Sequence, residues 1–400
     1  MQNWPLLTLG IAPLLACGQA PQDGVPLRPG TEQLQTCLDD QAITQNTGKG
    51  VDARYSRAGF DRVLVLVAPN GQTLRIYAQD QVRDAQMMRA MGLLRHFLSD
   101  VPGSTWGQDK EDVANAMAAS SSVLMMPNGE DGETFLSPRL GGQPLYWAET
   151  PVEGDSWYLD NDYSHRDAGF EEIFHLVHDQ GIGTNTPGVR PDYQAALEAE
   201  ALEALSDGRW GNGAEDWIEE LSQEGSLAQE YIASVLDSSM GLWAAWDGGD
   251  GGMWGIYTAK SRSDVQELDP AGWALLNQFL SPQVHSEVRL DPSFQGRFSM
   301  SFDPELPYTH KSQYLRSVTL TGQLDADLLG NSADNTLRGN LGNNLLDGGE
   351  GQDAAVYCVP LDELLLEQQE NGDWQVQGPE GTDTLRNVEW IRARDGELTL

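Results

Sequence analysis

The sequence predicts an α+β chain in two folded parts behind a leader: a mixed domain over residues 52–310 and a strand-rich, repeat-built domain over residues 314–400. Three observations predict it. A β-branched run with a hairpin signal precedes several stretches of helical spacing, the pattern of a mixed α+β domain. A strict nine-residue period near the C-terminus marks short units that stack on one another. The 400 residues also exceed one ordinary core.

Charge limits the partners. Asp and Glu number 61 against 24 Lys and Arg, a formal charge of −37 spread along the chain. Such a field repels nucleic acid and anionic lipid headgroups and favours cations. Residues 4–16 are apolar but shorter than the roughly 20 residues a spanning helix needs, so residues 1–16 read as a signal peptide, although they hold no Lys or Arg. Leu14-Leu15-Ala16-Cys17-Gly18 resembles a bacterial lipoprotein lipobox, which implies lipidation of Cys17 and an outer-membrane or cell-surface location; otherwise the leader is simply removed and the protein is extracellular. Of the remaining cysteines, Cys37 and Cys358 either pair or are two unrelated thiols.

Residues 17–51 have too few large apolar side chains for a core and read as a flexible tether. Order begins near Tyr55. Val63 to Val67 is a β-branched run, Asn70-Gly71 a hairpin signal, and Leu74 to Tyr77 the returning strand. Met88, Met91, Leu94 and Phe97 recur at helical spacing, a core stripe rather than a cofactor box. Residues 111–119 are a helix, 123–126 a short buried strand, and 127–160 a long loop around the helix that follows. Helices are expected over 192–205, 227–242 and after Asp269-Pro270, with a mobile Gly-rich loop at 247–252. Residues 281–313 read as an irregular exit from the domain.

The stretch from Phe170 to Gln180, stopped by Gly181, carries the candidate chemistry. At about 100° per residue, Phe170, Ile173, Phe174, Leu176 and Val177 fall on one flank, while Glu171, His175 and His178 line the other. Carboxylate oxygen and neutral imidazole nitrogen are donors that zinc and its neighbours accept. Three of the six histidines lie at 165, 175 and 178, so His178 and His165 are alternative donors. The bland alternative is the wet side of an amphipathic helix.

Glu171-Glu172-Ile173-Phe174-His175 is similar to the zincin His-Glu-x-x-His helix with Glu in place of its first His. That resemblance implies a zincin-like fold with Glu171 and His175 as zinc ligands, Glu172 as the general base, and peptide-bond hydrolysis as the reaction. Glu230, in Ala228-Gln229-Glu230-Tyr231-Ile232-Ala233, resembles the third ligand that gluzincins take from a later helix. Residues 262–276 also look like the segment that follows in secreted toxin-type metalloproteases. The whole 52–310 region resembles an uncharacterised group of exported bacterial proteins with no activity attached.

At the C-terminus, Gly330-Asn331-Ser332-Ala333-Asp334-Asn335-Thr336-Leu337-Arg338 is followed nine residues on by Gly339-Asn340-Leu341-Gly342-Asn343-Asn344-Leu345-Leu346-Asp347, and then by Gly348-Gly349-Glu350-Gly351-Gln352-Asp353-Ala354-Ala355-Val356. This resembles the hemolysin-type (repeats-in-toxin) nonapeptide, which implies a short parallel β-roll that binds calcium. Glycines such as Gly339 and Gly348 then permit tight turns, the sixth residue ligates calcium, and Leu337, Leu346 and Ala355 fill the interior. Asn335 and Asn344 replace the sixth-position Asp and only Asp353 retains it, which implies one or two weak calcium sites. Residues 321–329 read as a further worn turn. Residues 381–389 resemble the segment that closes such rolls.

The sequence therefore leads to an exported, acidic, calcium-binding protein with a metal-dependent peptidase-like domain, calcium and zinc its cofactors and a peptide or protein its substrate. The alternative is a non-catalytic, calcium-dependent surface or adhesion protein. Elbow, phosphate-loop and dinucleotide motifs are absent from strand-to-helix contexts.

Overall fold

The computed structural model describes residues 25–26, 50–131, 136–137, 139–161, 163–184 and 188–400. The expected signal peptide, Cys17, Cys37 and most of the tether lie outside the described residues. Within the tether, Val25–Pro26 forms a two-residue strand, β1. Cys358 is disulfide-bonded.

The fold is mixed α/β, with three sheets among the described residues. In the first, β2 (Arg62–Val67) and β3 (Thr73–Ala78) form the expected hairpin, and β4 (Val123–Met126) joins parallel to β3. Gln143–Pro144 (β5) extends the edge beside β4, within the stretch read as loop. Pro144 has no N–H to donate, and Leu145 N instead donates to the Met125 carbonyl of β4 at 2.8 Å.

Helices cover this sheet. The methionine stripe lies on α1 (Asp84–Leu98), where Met88, Met91, Leu94 and Phe97 are all buried. After α2 (Glu111–Ala119) comes the site helix α3 (Gly169–Val177), and its five predicted apolar residues are all in the core. Phe174 meets Phe97 at 5.5 Å and Phe279 at 6.2 Å. Gly169 is required because a Cβ there would lie 2.5 Å from the Arg89 guanidinium. The α-helix ends earlier than its spacing predicts: His178–Gly183 winds as a π-turn, and a Cβ at Gly181 would strike Val113 at 2.6 Å. Helices α4 (Pro191–Asp207), α5 (Glu215–Glu224), α6 (Leu227–Ser239), α7 (Arg262–Leu268) and α8 (Pro270–Asn277) complete the layer, with α6 packed against α3 and α4.

Residues 281–313 are not irregular. They hold β6 (Val284–Arg289) and β7 (Gly296–Ser299), which pair parallel with β8 (Leu315–Thr319) and β9 (Ala326–Leu329), so the strand-built part starts at Val284 rather than at the expected residue 314. The chain then alternates between two sheets through β10 (Thr336–Arg338), β11 (Leu345–Asp347) and β12 (Ala354–Val356). Leu346 pairs with Leu328, and Leu337 with Ala355, each offset being two nonapeptides.

A hairpin of β13 (Leu365–Gln368) and β14 (Trp374–Gly378) interrupts the winding before β15 (Gly381–Arg386) and β16 (Trp390–Ala393) resume it, and β17 (Gly396–Thr399) closes one edge. Phe298, Leu328, Leu346 and Leu385 stack as one buried ladder, and Val288, Val318, Leu337, Ala355 and Ile391 as the other. These ladders and the helical layer belong to one continuous core, with α1 packed on β6 so closely that a Cβ at Gly92 would lie 3.3 Å from the Glu287 carbonyl.

Candidate metal centre

Glu171 and His175 are one helical turn apart on α3, and the packing of α6 across that turn brings Glu230 to them. One donor atom from each lies within 4.8 Å of the others, the one such His/Cys/Asp/Glu group among the described residues. His175 Nε2 faces Glu230 Oε1 at 3.6 Å, beyond hydrogen-bond range, and this buried nitrogen has no hydrogen-bond partner. Its other nitrogen, Nδ1, faces Glu172 Oε2, also at 3.6 Å. The imidazole is thus held between two carboxylates, one on each edge.

Glu172 is occupied on several sides. Gln143 Nε2, from β5, donates to its Oε2 at 2.6 Å, and Arg166 Nη2 donates to its Oε1 at 3.1 Å. Arg166 also pairs with Glu171 through Nη1 and approaches Glu149 at 3.7 Å. Its guanidinium therefore neutralises part of the charge that Glu171 adds in place of an imidazole. The resemblance gave Glu172 the role of general base. Glu172 faces Nδ1 of His175, the ring nitrogen opposite the one that faces Glu230.

Electrostatics at the site are set by burial and crowding. Burial opposes a charged His175, but Glu230, Glu172 and Glu171 outweigh it and push the imidazole up to about 10. Burial lifts Glu230 to about 7 against the pull of His175, and lifts Glu149 to about 7 against Arg166. Glu172 stays below the usual carboxylate range despite burial, through its contact with His175 and then Arg166. Asp237, two turns after Glu230 on α6, is raised well above the ordinary range by burial and then by Glu171, and its buried Oδ1 has no hydrogen-bond partner. Buried carboxylates in this number need protons or a cation to compensate them.

His178 does not join this group. Seven residues from Glu171 amount to about 10 Å along a helix axis, so a shared face is not a shared site. Its Nε2 lies 2.6 Å from Gln194 Oε1 on α4, and burial holds its pKa down at about 4. His165 is half-exposed and faces Glu130 at 3.5 Å. Arg166, Glu149, Gln143 and Asp237 were not singled out from the sequence as site residues. Asp237 and Glu230 do share one side of the predicted helix, and that was the available signal.

The residues that the resemblance assigns to calcium have the following surroundings. Asn335, Asn344 and Asp353 all turn inward and are buried. Asn335 Oδ1 accepts from Asn331 N at 2.8 Å and Asn344 Oδ1 from Asn340 N at 2.9 Å. Both side-chain amides are also spent as donors: Asn335 Nδ2 to Asn331 Oδ1 at 3.0 Å, Asn344 Nδ2 to the Ala326 carbonyl at 2.9 Å. Asp353 alone keeps a buried oxygen, Oδ2, without a hydrogen bond. Gly339 and Gly348 lack a left-handed φ. Close approach excludes a side chain instead, since a Cβ at Gly339 would meet Asn344 Oδ1 at 2.5 Å and one at Gly348 the Asn387 carbonyl at 2.2 Å.

The sequence matches no protein-family model, and comparison with curated proteins finds no significant relative.

Proposed function

We propose that this chain is an exported divalent-metal protein whose helical part carries a zincin-like centre on Glu171, His175 and Glu230, with peptide-bond hydrolysis as its reaction. The observation that supports this reading is the bare, buried Nε2 of His175, which faces Glu230 at 3.6 Å in a group of three residues whose ligand atoms lie within 4.8 Å of one another. The donor set, one imidazole and two carboxylates, suits zinc. Such an ion, when bound, supplies Lewis-acid polarisation of a carbonyl and acidification of water. The chain's own residues hold and tune the donors: Glu172 orients His175 through Nδ1, Arg166 fixes Glu171, and Gln143 fixes Glu172. Glu149, lifted to about 7 at the edge of the cluster, is the carboxyl placed to carry a proton. We read the two alternating sheets as a β-roll of the repeats-in-toxin kind, and the lipobox resemblance assigns a lipid anchor to Cys17.

A second reading has one observation behind it. Glu172, the residue the motif makes a base, is tied to Gln143, Arg166 and His175. That favours a non-catalytic surface or adhesion protein whose cluster binds an ion without turnover.

Metal analysis of the purified chain tests both. One zinc per chain, lost in His175→Ala together with hydrolysis of a casein-type substrate, supports the enzyme. Zinc retained without hydrolysis supports the second reading, and no bound metal in wild type overturns the centre itself.

A further inference from the structure

We propose that side-chain amides close the first two nonapeptides in the place the resemblance gives to calcium, so that the winding over residues 315–347 needs no metal ion. A carboxylate only accepts hydrogen bonds, and so does a backbone carbonyl; two such groups brought together need a cation or a hydrogen-bond donor between them. An asparagine needs none, because its amide offers both a donor and an acceptor.

The asparagines are used in that way. Each of the first two repeats has Asn at its second and sixth positions: Asn331 and Asn335, then Asn340 and Asn344. Asn331 Nδ2 donates to the carbonyls of Gln313 and Leu315 at 3.3 and 3.0 Å. Asn340 Nδ2 donates to those of Thr321 and Leu324 at 3.0 and 2.9 Å, and Asn344 Nδ2 to that of Ala326 at 2.9 Å. Five carbonyls of the preceding turns, oxygens of the kind a hard cation takes, therefore already receive N–H groups. The oxygens are used as well: Asn331 Oδ1 accepts from Ala333 N at 2.9 Å, and Asn340 Oδ1 from Gly342 N at 2.8 Å. The next turn is tied on through Asn335 N to Asp353 Oδ1 at 2.7 Å and Asn344 N to Asp383 Oδ1 at 3.1 Å.

The third repeat supplies the internal contrast. It has Gly349 at the second position and Asp353 at the sixth, and there a buried carboxylate oxygen is left without a hydrogen bond. Where the two asparagines are missing, the compensation is missing too.

The test is hydrogen exchange on the full chain, read locally over 315–347 so that ions at the Glu171 centre do not enter the signal. In a chelator, wild type keeps its protection in β10 and β11, and about 5 mM calcium changes it less than about 2-fold. The double variant Asn335→Asp, Asn344→Asp loses protection at least about 10-fold in the chelator and regains it with calcium. Should that variant fail to fold, Asn340→Ala serves: it loses protection over the same strands, and calcium does not restore it. Wild-type protection that appears only with calcium overturns the proposal, and so does calcium rescue of Asn340→Ala.

Discussion

His175 Nε2 and Glu230 Oε1 face each other at 3.6 Å across the contact of α3 with α6, too far to share a hydrogen bond and close enough to share an ion. Glu230→Gln keeps the shape of the side chain and removes one anionic donor. It is expected to weaken zinc binding by at least about 100-fold, since loss of a ligand costs more than loss of an outer partner. Calorimetric titration of metal-free protein measures this. Unchanged affinity would mean that the ion, if bound, sits elsewhere.

Glu172 faces His175 Nδ1 at 3.6 Å, and an orienting role and a base role predict different effects there. Glu172→Gln keeps the bulk and weakens the grip on Nδ1; an orienting role predicts about a 10- to 100-fold loss of zinc affinity. A base that never touches the ligand would leave affinity unchanged and lower only turnover. Titration and hydrolysis measured on the same variant separate these.

Asp237 is buried with Oδ1 unpartnered, and burial and then Glu171 raise its carboxyl well above the ordinary carboxylate range. The unfolded chain releases its proton in the ordinary carboxylate range and the folded chain only at higher pH, so this group costs stability as pH rises above about 4. Asp237→Asn removes the cost. Metal-free variant protein is expected to be more stable than wild type at pH 7 by on the order of 1–3 kcal/mol, with the gain vanishing near pH 4. Urea midpoints at the two pH values decide it.

Glu171 and His175 could be read from sequence because i and i+4 on one helix are neighbours whatever the rest of the chain does. Glu230 came from a resemblance, and packing of α6 on α3 put it beside them. Arg166, Glu149 and Gln143 reach the site from segments that only the tertiary fold aligns, and in so acidic a chain one more carboxylate carries no signal. His178 misled because angular position on a helix ignores the axial rise. The alternation of apolar and polar residues in β6 was visible, yet without glycines and asparagines nothing tied it to the repeats. The asparagines themselves were read as weak ligands because only their oxygens were weighed.

His96 gives a second pH effect, of opposite sign. Neither ring nitrogen has a hydrogen bond, and burial, then the charges of Lys110 and His285, hold its pKa down at about 3. The unfolded chain takes up a proton near 6.5 while the folded chain stays neutral, so stability falls as pH drops through the window from 6.5 to 3. At pH 5 the cost is about 2 kcal/mol. His96→Leu should abolish it, giving a flatter fall in denaturation midpoint between pH 7 and 5. An identical fall in both proteins would rule out His96 as the source.

Leu346 tests whether the stacked interior carries the stability of the C-terminal sheets. It is fully buried between Leu328 and Leu385, one rung of a ladder that continues into the core beneath α1. Leu346→Ala leaves a cavity that the fixed register of the parallel strands cannot close, and should cost about 2–5 kcal/mol. Because the core is continuous, the loss should appear as one cooperative shift of the whole unfolding curve, followed by tryptophan fluorescence and by circular dichroism together. Two separated transitions, with only the second one moved, would mean that the repeats unfold on their own.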